Sequence, residues 1–298
     1  MQKYYKKFHK WNKWFNIYIW TNNKWKNIYN AWKSTKPRVN YFINLLLFSI
    51  LPCVLKDLFD LLQKEKDNVF DDNSNIDDES AISTGNTYRV FCTYVEIYNE
   101  NIHDLLGDAN INLDLREDPN KGVIINGVKE IDLDSPDNFF SLLLLGNSKR
   151  ATEMTNNNAT SSRSHAILQI FLEGKNKQKN EMTLSRFVLV DLAGSEKGNS
   201  VAAVGTQRVI EGSKINQSLL NLGKCINALA ENRGFVSWRD SKLTRILKDS
   251  LIGNSRMVML STISPSIFSI TETINTLLYS SRAKNIQVKV MIAMAKTS

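Results

Sequence analysis

The sequence predicts a three-layer α/β domain, and three observations support this prediction. The chain has 298 residues, of which 42% are hydrophobic, and this is enough to form the core of one large domain or two small ones. From about residue 86 onward, strand-like and helix-like patterns alternate. Residues 187–190 are a continuous apolar run, which is typical of a strand buried on both faces of a sheet, and residues 257–263 are predicted to be another buried strand.

The individual elements follow from local patterns. Apolar residues recur every three to four positions over 215–230, which is the spacing of a helical stripe. Gly146 is a typical C-terminal stop for a helix that begins near Asp137. Residues 71–86 are acidic and rich in Ser and Asn, which predicts a loop. The remaining predictions are strands over 88–98 and 166–172, a short helix over 101–106 and a final helix over 272–283.

The cysteines and the longest apolar stretch indicate a cytosolic protein. Cys53, Cys92 and Cys225 show neither CxxC spacing nor the density of a disulfide-stabilised fold, and no signal peptide precedes them. We therefore expect a reduced protein with buried, inert thiols. The apolar run 41–55 is interrupted by Asn44 and is shorter than the roughly 20 residues of a membrane helix, so we expect no membrane partner.

The net charge of +8 originates in the N-terminal segment. Residues 1–38 contain ten Lys or Arg and no Asp or Glu, which leaves 28 bases against 30 acids in the remainder of the chain. This segment is also rich in Asn, Tyr and Trp and has no apolar period of 3.6 or 2. We interpret residues 1–49 as an aberrant basic segment, disordered or translated out of frame, and we expect no nucleic-acid partner.

Two loops carry residue types that sense the γ-phosphate of a nucleotide. Asp191 directly follows the predicted strand 187–190, where an Asp can hold a Mg²⁺-bound water. Gly194 lets the backbone approach a phosphate, because it has no Cβ. Asp-x-x-Gly alone could be a plain strand-end turn, but here it accompanies a serine-rich loop whose hydroxyls and Arg163 suit Mg²⁺ coordination, water positioning and an ion pair with Glu196. That loop comprises Asn158, Ala159, Thr160, Ser161, Ser162, Arg163, Ser164 and His165.

In their order along the chain, these motifs resemble the motor domain of the kinesin superfamily. The resemblance extends over roughly residues 50–287. It implies an ATP-hydrolysing, microtubule-binding motor core with a central, mostly parallel sheet, a Mg²⁺ cofactor and a location on microtubules in the cytoplasm. Residues 158–160 and 227–230 resemble the eighth kinesin class, and residues 288–298 are predicted to be a neck linker. Further matching motifs occupy 94–100, 215–223 and 238–245.

The resemblance also implies roles for individual residues. Arg163 and Glu196 would pair to close the site, whereas Ser162 and Asp191 would hold Mg²⁺, the latter through water. Arg150 matches a family arginine that helps to sense the γ-phosphate. The implied catalytic residues are Asn158, Ser161, Ser162, Arg163, Asp191, Gly194 and Glu196.

A microtubule-binding face is implied as well. Its bases would meet the acidic tubulin surface, and a solvated helix end is the alternative interpretation. His165 fits no metal spacing and is expected to be a structural hydrogen-bonding residue rather than a catalyst. The implied microtubule-binding residues are Lys214, Arg239, Lys242 and Arg245.

One motif that such a site requires is missing, because no glycine-rich loop ending in Gly-Lys-Thr occurs in the chain. Five of the six tryptophans lie within the first 32 residues. Trp has the single codon TGG, so reading the gene one base later converts each of these tryptophans into Gly. The resulting glycines have the spacing of the glycines in a phosphate-loop region. The alternative is a genuine Lys/Asn-rich extension.

We therefore predict that this chain, as written, does not hydrolyse ATP. A non-catalytic microtubule-binding remnant of a motor is the alternative function. A switch-type GTPase is disfavoured, because the guanine-reading sequence Asn-Lys-x-Asp does not occur.

Overall fold

The computed structural model describes residues 14–20, 55–64, 86–108, 111–119, 122–156, 164–176, 181–194, 206–252, 255–261, 263, 267 and 270–286. Within them the chain forms an α/β fold, as the sequence predicts. The strands are β1 (Trp14–Trp20), β2 (Asn86–Tyr98), β3 (Asn101–Asp104), β4 (Asn112–Asp118), β5 (Gly122–Asn126), β6 (Ile131–Asp132), β7 (His165–Asn176), β8 (Glu181–Asp191) and β9 (Ser255–Ser261). The helices are α1 (residues 55–64), α2 (Pro136–Asn156), α3 (Thr206–Ala230), α4 (Lys242–Ile252) and α5 (Ile270–Lys284), with a 3₁₀ turn at Trp238–Asp240.

Some predicted regions lie outside the described residues. These are the loop at 71–85, the neck linker at 288–298 and all of the basic segment 1–49 except β1. Among the helices that are described, none combines the length and the hydrophobicity that crossing a membrane requires.

The sheet is mixed rather than mostly parallel. The strand order is β5-β4-β3-β2-β7-β8-β1-β9, and β6 pairs with β2. β1 is parallel to both neighbours, whereas the six other pairings among the described strands are antiparallel. The prediction of a mostly parallel sheet is therefore wrong for these strands. The reason is that the connections from β2 to β3 and from β7 to β8 are too short for the crossover that parallel neighbours need.

A two-residue turn joins β2 to β3. Tyr98 pairs with Asn101, and the residues between them, Asn99 and Glu100, have positive φ angles of 53° and 63°. Two consecutive left-handed residues form the type I′ turn, whose twist matches that of the flanking strands. The predicted helix over 101–106 is therefore wrong, because its first four residues are β3.

The same turn reaches the start of α4. The backbone N–H of Lys242, the first residue of α4, donates a hydrogen bond to Glu100 Oε2 over 2.7 Å. The carboxylate thereby satisfies one of the free N–H groups of the helix start and stands at the positive end of the helix dipole. This contact fixes α4 against the β2–β3 hairpin.

Helices cover both faces of the sheet, which gives the predicted three layers. On β8, Val188 lies in one buried cluster with Leu247 of α4. Leu189, which points to the opposite face, lies in a second cluster with Leu55 of α1 and Phe139 of α2. Each of these side chains contributes about 1.5–3 kcal/mol through its burial.

α2 continues through Gly146, so the predicted stop at this residue is wrong. The helix passes Tyr94 of β2 here, and a Cβ on Gly146 would lie 2.4 Å from Tyr94 Cδ1. Tyr94 is buried and its hydroxyl donates a 2.9 Å hydrogen bond to Asn147 Oδ1, which holds the ring in place. Gly146 is therefore needed for packing and does not terminate the helix.

Replacing Gly146 with Ala is expected to lower the free energy of unfolding by about 1–3 kcal/mol. The overlap with Tyr94 outweighs the roughly 1 kcal/mol gained from the better helix propensity of Ala. Chemical denaturation followed by circular dichroism measures the difference. Gly234→Ala is the matched control, since nothing lies within 4 Å of a Cβ there, and it should change stability by less than about 0.5 kcal/mol. Equal stabilities of the two variants would contradict the packing role.

Candidate functional site

The candidate site lies where the parallel strands β8 and β1 end. Asp191, the last residue of β8, is buried, and so are Leu192, Ala193 and Gly194 after it. Ile19 of β1 pairs with Asp191, so the two strands reach the same edge of the sheet. Ligands of α/β sheets bind at the carboxyl ends of parallel strands.

Arg150 of α2 joins two buried carboxylates at this edge. Its Nη1 atom donates to Asp191 Oδ2 over 2.8 Å, and its Nε atom donates to Glu96 Oε1 of β2 over 3.1 Å. Its Nη2 atom donates to the carbonyl oxygen and to the hydroxyl of Ser164, both over 3.2 Å. The side chains of Arg150, Glu96 and Asp191 are only 2%, 2% and 6% exposed, so water screens these ion pairs little.

Among the described residues, the cluster carries a formal charge of −1, because one guanidinium faces two carboxylates. Burial opposes the charge of Arg150, but nearby negative groups, Asp191 foremost, outweigh it and raise the pKa of the guanidinium above its ordinary value. The hydroxyl of Ser164 adds a hydrogen bond to Glu96 Oε1. A buried negative charge is costly unless a cation or hydrogen-bond donors compensate it, so this edge of the sheet is suited to a cation.

Asp191 has one oxygen available for a ligand. Its Oδ1 atom is buried and has no hydrogen-bond partner among the described residues. Leaving such an oxygen without a partner costs about 1–3 kcal/mol, and a water held by Mg²⁺ would offset this cost. Asp191 therefore fits the Mg²⁺-bound water that the sequence predicts. The chain offers no corresponding residues for the phosphate groups of a nucleotide, because it contains no Gly-Lys-Thr.

His165 connects three elements behind Asp191. The backbone N–H of Ala193 donates to His165 Nδ1 over 3.0 Å, which leaves the ring proton on Nε2 to donate to Ser218 Oγ of α3 over 2.8 Å. Burial and, to a smaller extent, the charge of Arg150 lower the pKa of His165 to about 3. The ring is therefore neutral at physiological pH, and His165 makes structural hydrogen bonds as the sequence predicts.

The structure brings together three of the predicted site residues. Asp191 and Gly194 lie at the end of β8, and Arg150 contacts Asp191 from α2. Arg150, which the sequence predicts as a phosphate sensor, is engaged with Glu96 as well. The other predicted catalytic residues and the side chain of Lys214 lie outside the described residues and keep their roles as predictions; those catalytic residues are Asn158, Ser161, Ser162, Arg163 and Glu196.

Two members of the cluster are not predicted as site residues from the sequence. Glu96 stands within the apolar strand β2, and a carboxylate at such a position is a signal, because a buried strand retains it only with a compensating partner. Ser164 belongs to the predicted serine-rich loop, but no pattern identifies its partner. Only the fold shows that both residues meet Arg150.

The predicted microtubule-binding bases differ in their surroundings. Arg239 is exposed in the 3₁₀ turn. Lys242 Nζ lies 3.3 Å from Asp114 Oδ1 of β4, and its side chain is only 22% exposed. Arg245 Nη2 donates to Leu115 O over 3.4 Å. Lys242 and Arg245 thus attach α4 to β4, whereas Arg239 faces solvent.

Comparisons with known sequences identify related proteins. A model of the Kinesin motor domain family matches residues 48–286. The chain is 39% identical over 272 residues to the Kinesin-like protein KIN-8B of Arabidopsis thaliana, covering 89% of the chain and 33% of that protein. It is 50% identical over 209 residues to the Kinesin-like protein KIF19 of Xenopus laevis, covering 68% of the chain and 21% of that protein. The chain therefore spans a third or less of the length of these relatives.

Solved structures share the fold. One, titled "Structure of a fast kinesin: Implications for ATPase mechanism and interactions with microtubules", matches with a TM-score of 0.73 and 32% identity over 95% of this chain and 73% of that chain. A second, the C-terminal motor and motor homology domain of Kar3Vik1, matches with a TM-score of 0.69 and 29% identity over 93% of this chain and 64% of that chain. Since the family model covers far more than half of the sequence, the chain belongs to the kinesin motor domain family.

Proposed function

We propose that the chain is part of an ATP-dependent microtubule motor, which couples ATP hydrolysis to movement on microtubules in the cytoplasm. The observation that carries this proposal is the buried cluster at the end of β8, in which one carboxylate oxygen of Asp191 has no hydrogen-bond partner within the described part of the chain. ATP and Mg²⁺ would be the cofactors, and tubulin would be the partner. Membership of the eighth kinesin class stays a prediction.

Within this function, the described residues supply the cation side of the nucleotide site. When bound, Mg²⁺ neutralises charge on the phosphates. Asp191 would accept a hydrogen bond from a metal-bound water, while Arg150 and Glu96 hold the carboxylate in place. Gly194 would let the backbone approach the γ-phosphate.

The phosphate-holding half of the site is missing from the chain as written. No Gly-Lys-Thr is present to hold the β- and γ-phosphates. We therefore expect this chain to show no ATPase activity. The second candidate function, a non-catalytic microtubule-binding remnant, rests on this observation.

Two assays on the full chain test the proposal. We expect microtubules to sediment the protein in the ultracentrifuge, and we expect no phosphate release from ATP above background with or without microtubules. Microtubule-stimulated phosphate release would contradict the argument from the missing loop. A chain that stays in the supernatant would contradict the assignment of a microtubule partner.

Arg239→Ala is expected to weaken microtubule binding about fivefold, which corresponds to about 1 kcal/mol. Its side chain is exposed and is available to an acidic partner surface. Co-sedimentation at several salt concentrations measures the affinity, and the difference should shrink as the salt rises. Lys175→Ala is the matched control, because Lys175 is 60% exposed and lies in β7 near the start of β8, at the sheet edge away from Asp191. Equal losses in both variants would exclude a specific role for Arg239.

A further inference from the structure

Strand β1 occupies a position in the sheet that matters for a nucleotide site. It is parallel to β8 on one side and to β9 on the other. Ile19 lies opposite Asp191, and Trp20 lies opposite Ser261, the last residue of β9. The carboxyl end of β1 therefore lies beside the cluster of Arg150, Glu96 and Asp191.

This is where a phosphate loop would be required. A loop of the form Gly-x-x-x-x-Gly-Lys-[Ser/Thr] follows a parallel strand directly, and its backbone N–H groups then face the phosphates at the strand's carboxyl end. In this chain the residue that ends β1 is Trp20, and Trp25 comes five positions later. The spacing of the two tryptophans is the spacing of the two glycines in such a loop.

We propose that the gene encodes this phosphate loop in the reading frame one base later, and that residues 1 to about 49 are an out-of-frame reading of it. The inference rests on the proposed function, because it supplies the half of the ATP site that the chain lacks. The competing explanation is a genuine Lys/Asn-rich extension that contains spaced tryptophans by coincidence.

The genetic code restricts what the shifted frame contains. TGG read one base later begins GG, so Trp20 and Trp25 become Gly whatever base follows. Lys26 is encoded by AAA or AAG and precedes an A, so its shifted codon is AAA or AGA, for Lys or Arg. Asn27 is encoded by AAT or AAC and precedes an A, so its shifted codon gives Ile or Thr. The shifted frame thus reads Gly-x-x-x-x-Gly-[Lys/Arg]-[Thr/Ile], which includes the phosphate loop.

The shifted frame also preserves a strand at the position of β1. When their codons are shifted by one base in the same way, Asn16 and Tyr18 become Ile or Thr, and Ile17 and Ile19 become Phe, Tyr or Ser. Phe15 becomes Leu or Ser. Most of these alternatives are β-branched or aromatic residues, which favour strands. A strand between β8 and β9 is therefore compatible with both readings, which explains how an out-of-frame segment can take this place in the sheet.

The return to the present frame agrees with the family match. That match begins at residue 48, and residues 1–38 hold the ten bases that set the segment apart in composition. A single frame change near residue 49 accounts for both observations.

Sequencing the transcript over codons 10 to 50 tests the proposal directly. We expect AAA for Lys26 and AAC for Asn27, so that the shifted frame reads Lys and Thr. Mass spectrometry of the native protein should then detect tryptic peptides of the shifted frame. AAG or AAT at these codons would overturn the proposal, and so would native peptides that carry the present sequence of residues 14–24.

A binding experiment separates this inference from the proposed function. Two chains are compared, the present one and one translated in the shifted frame over codons 10 to 49, with a fluorescent ATP analogue and Mg²⁺ as the probe. The corrected chain should bind at least about a hundredfold more tightly, because only it presents a phosphate loop. Asp191→Asn in the corrected chain should reduce the Mg²⁺ dependence of binding.

The possible outcomes are distinct. If the corrected chain folds, as judged by circular dichroism, but binds the probe no better than the present chain, the inference is overturned. If it binds the probe while microtubules fail to stimulate its hydrolysis of ATP, the inference holds and the proposed motor function fails.

Discussion

Replacing Arg150 with Met is expected to lower the free energy of unfolding by about 3–5 kcal/mol. Met fills a similar volume, but it leaves Glu96 and Asp191 buried without a positive partner. Bulk solvent stabilises neither carboxylate much, since their side chains are only 2% and 6% exposed. Domains are stable by only about 5–15 kcal/mol, so this loss should be plain in chemical denaturation at neutral pH.

Two further variants test the cause of this loss. Arg233 pairs with Glu231, but their side chains are 63% and 55% exposed, so Arg233→Met should cost no more than about 1 kcal/mol. Adding Glu96→Gln to the Arg150→Met chain should restore part of the stability, because a neutral amide needs no countercharge. A cost for Arg150→Met as small as that of Arg233→Met would show that the buried ion pairs do not stabilise the fold.

Acidification is expected to destabilise the protein through His165. Burial lowers the pKa of His165 from 6.5 to about 3 in the folded state. Between these values the unfolded state binds more protons, so the contribution of the neutral ring is complete above pH 6.5 and is lost as the pH falls toward 3. One such group gives a slope of about 1.4 kcal/mol per pH unit, or about 2–3 kcal/mol between pH 6.5 and 4.5.

The control for this prediction is His165→Asn. The Asn side chain does not titrate, and its oxygen can accept the hydrogen bond that Ala193 N donates to Nδ1. We expect the variant to be less stable at pH 7, because the bond to Ser218 is lost, and to show a shallower dependence of unfolding free energy on pH. Denaturant titrations at several pH values between 4.5 and 6.5 measure both slopes. Identical slopes would mean that another group causes the acid sensitivity.

The parts of the fold that depend on local patterns are predictable from the sequence. The apolar run at 187–190 and the mainly apolar segment 257–263 predict strands, and β8 and β9 contain most of their residues. The direction of neighbouring strands is not predictable in this way, because it depends on the connections. Asn99 and Glu100 illustrate this, since their left-handed conformation turns a predicted helix into a hairpin.

The candidate site is predictable only where its residues are consecutive. Asp191 and Gly194 follow one strand within four positions, so their proximity can be read from the sequence. Glu96 and Arg150 are 54 positions apart, and only the fold brings them together. Gly146 is misinterpreted for the same reason, because its role depends on Tyr94 in a distant strand.

The bond between Lys242 N and Glu100 Oε2 joins residues that are 142 positions apart. The carboxylate that accepts a hydrogen bond from the first turn of α4 therefore comes from a distant part of the sequence and not from the residues next to the helix. During synthesis on the ribosome, the hairpin emerges long before α4 does, and distant contacts of this kind form slowly because the intervening chain must be ordered first. We infer that α4 docks late, onto a hairpin that already holds its carboxylate in position.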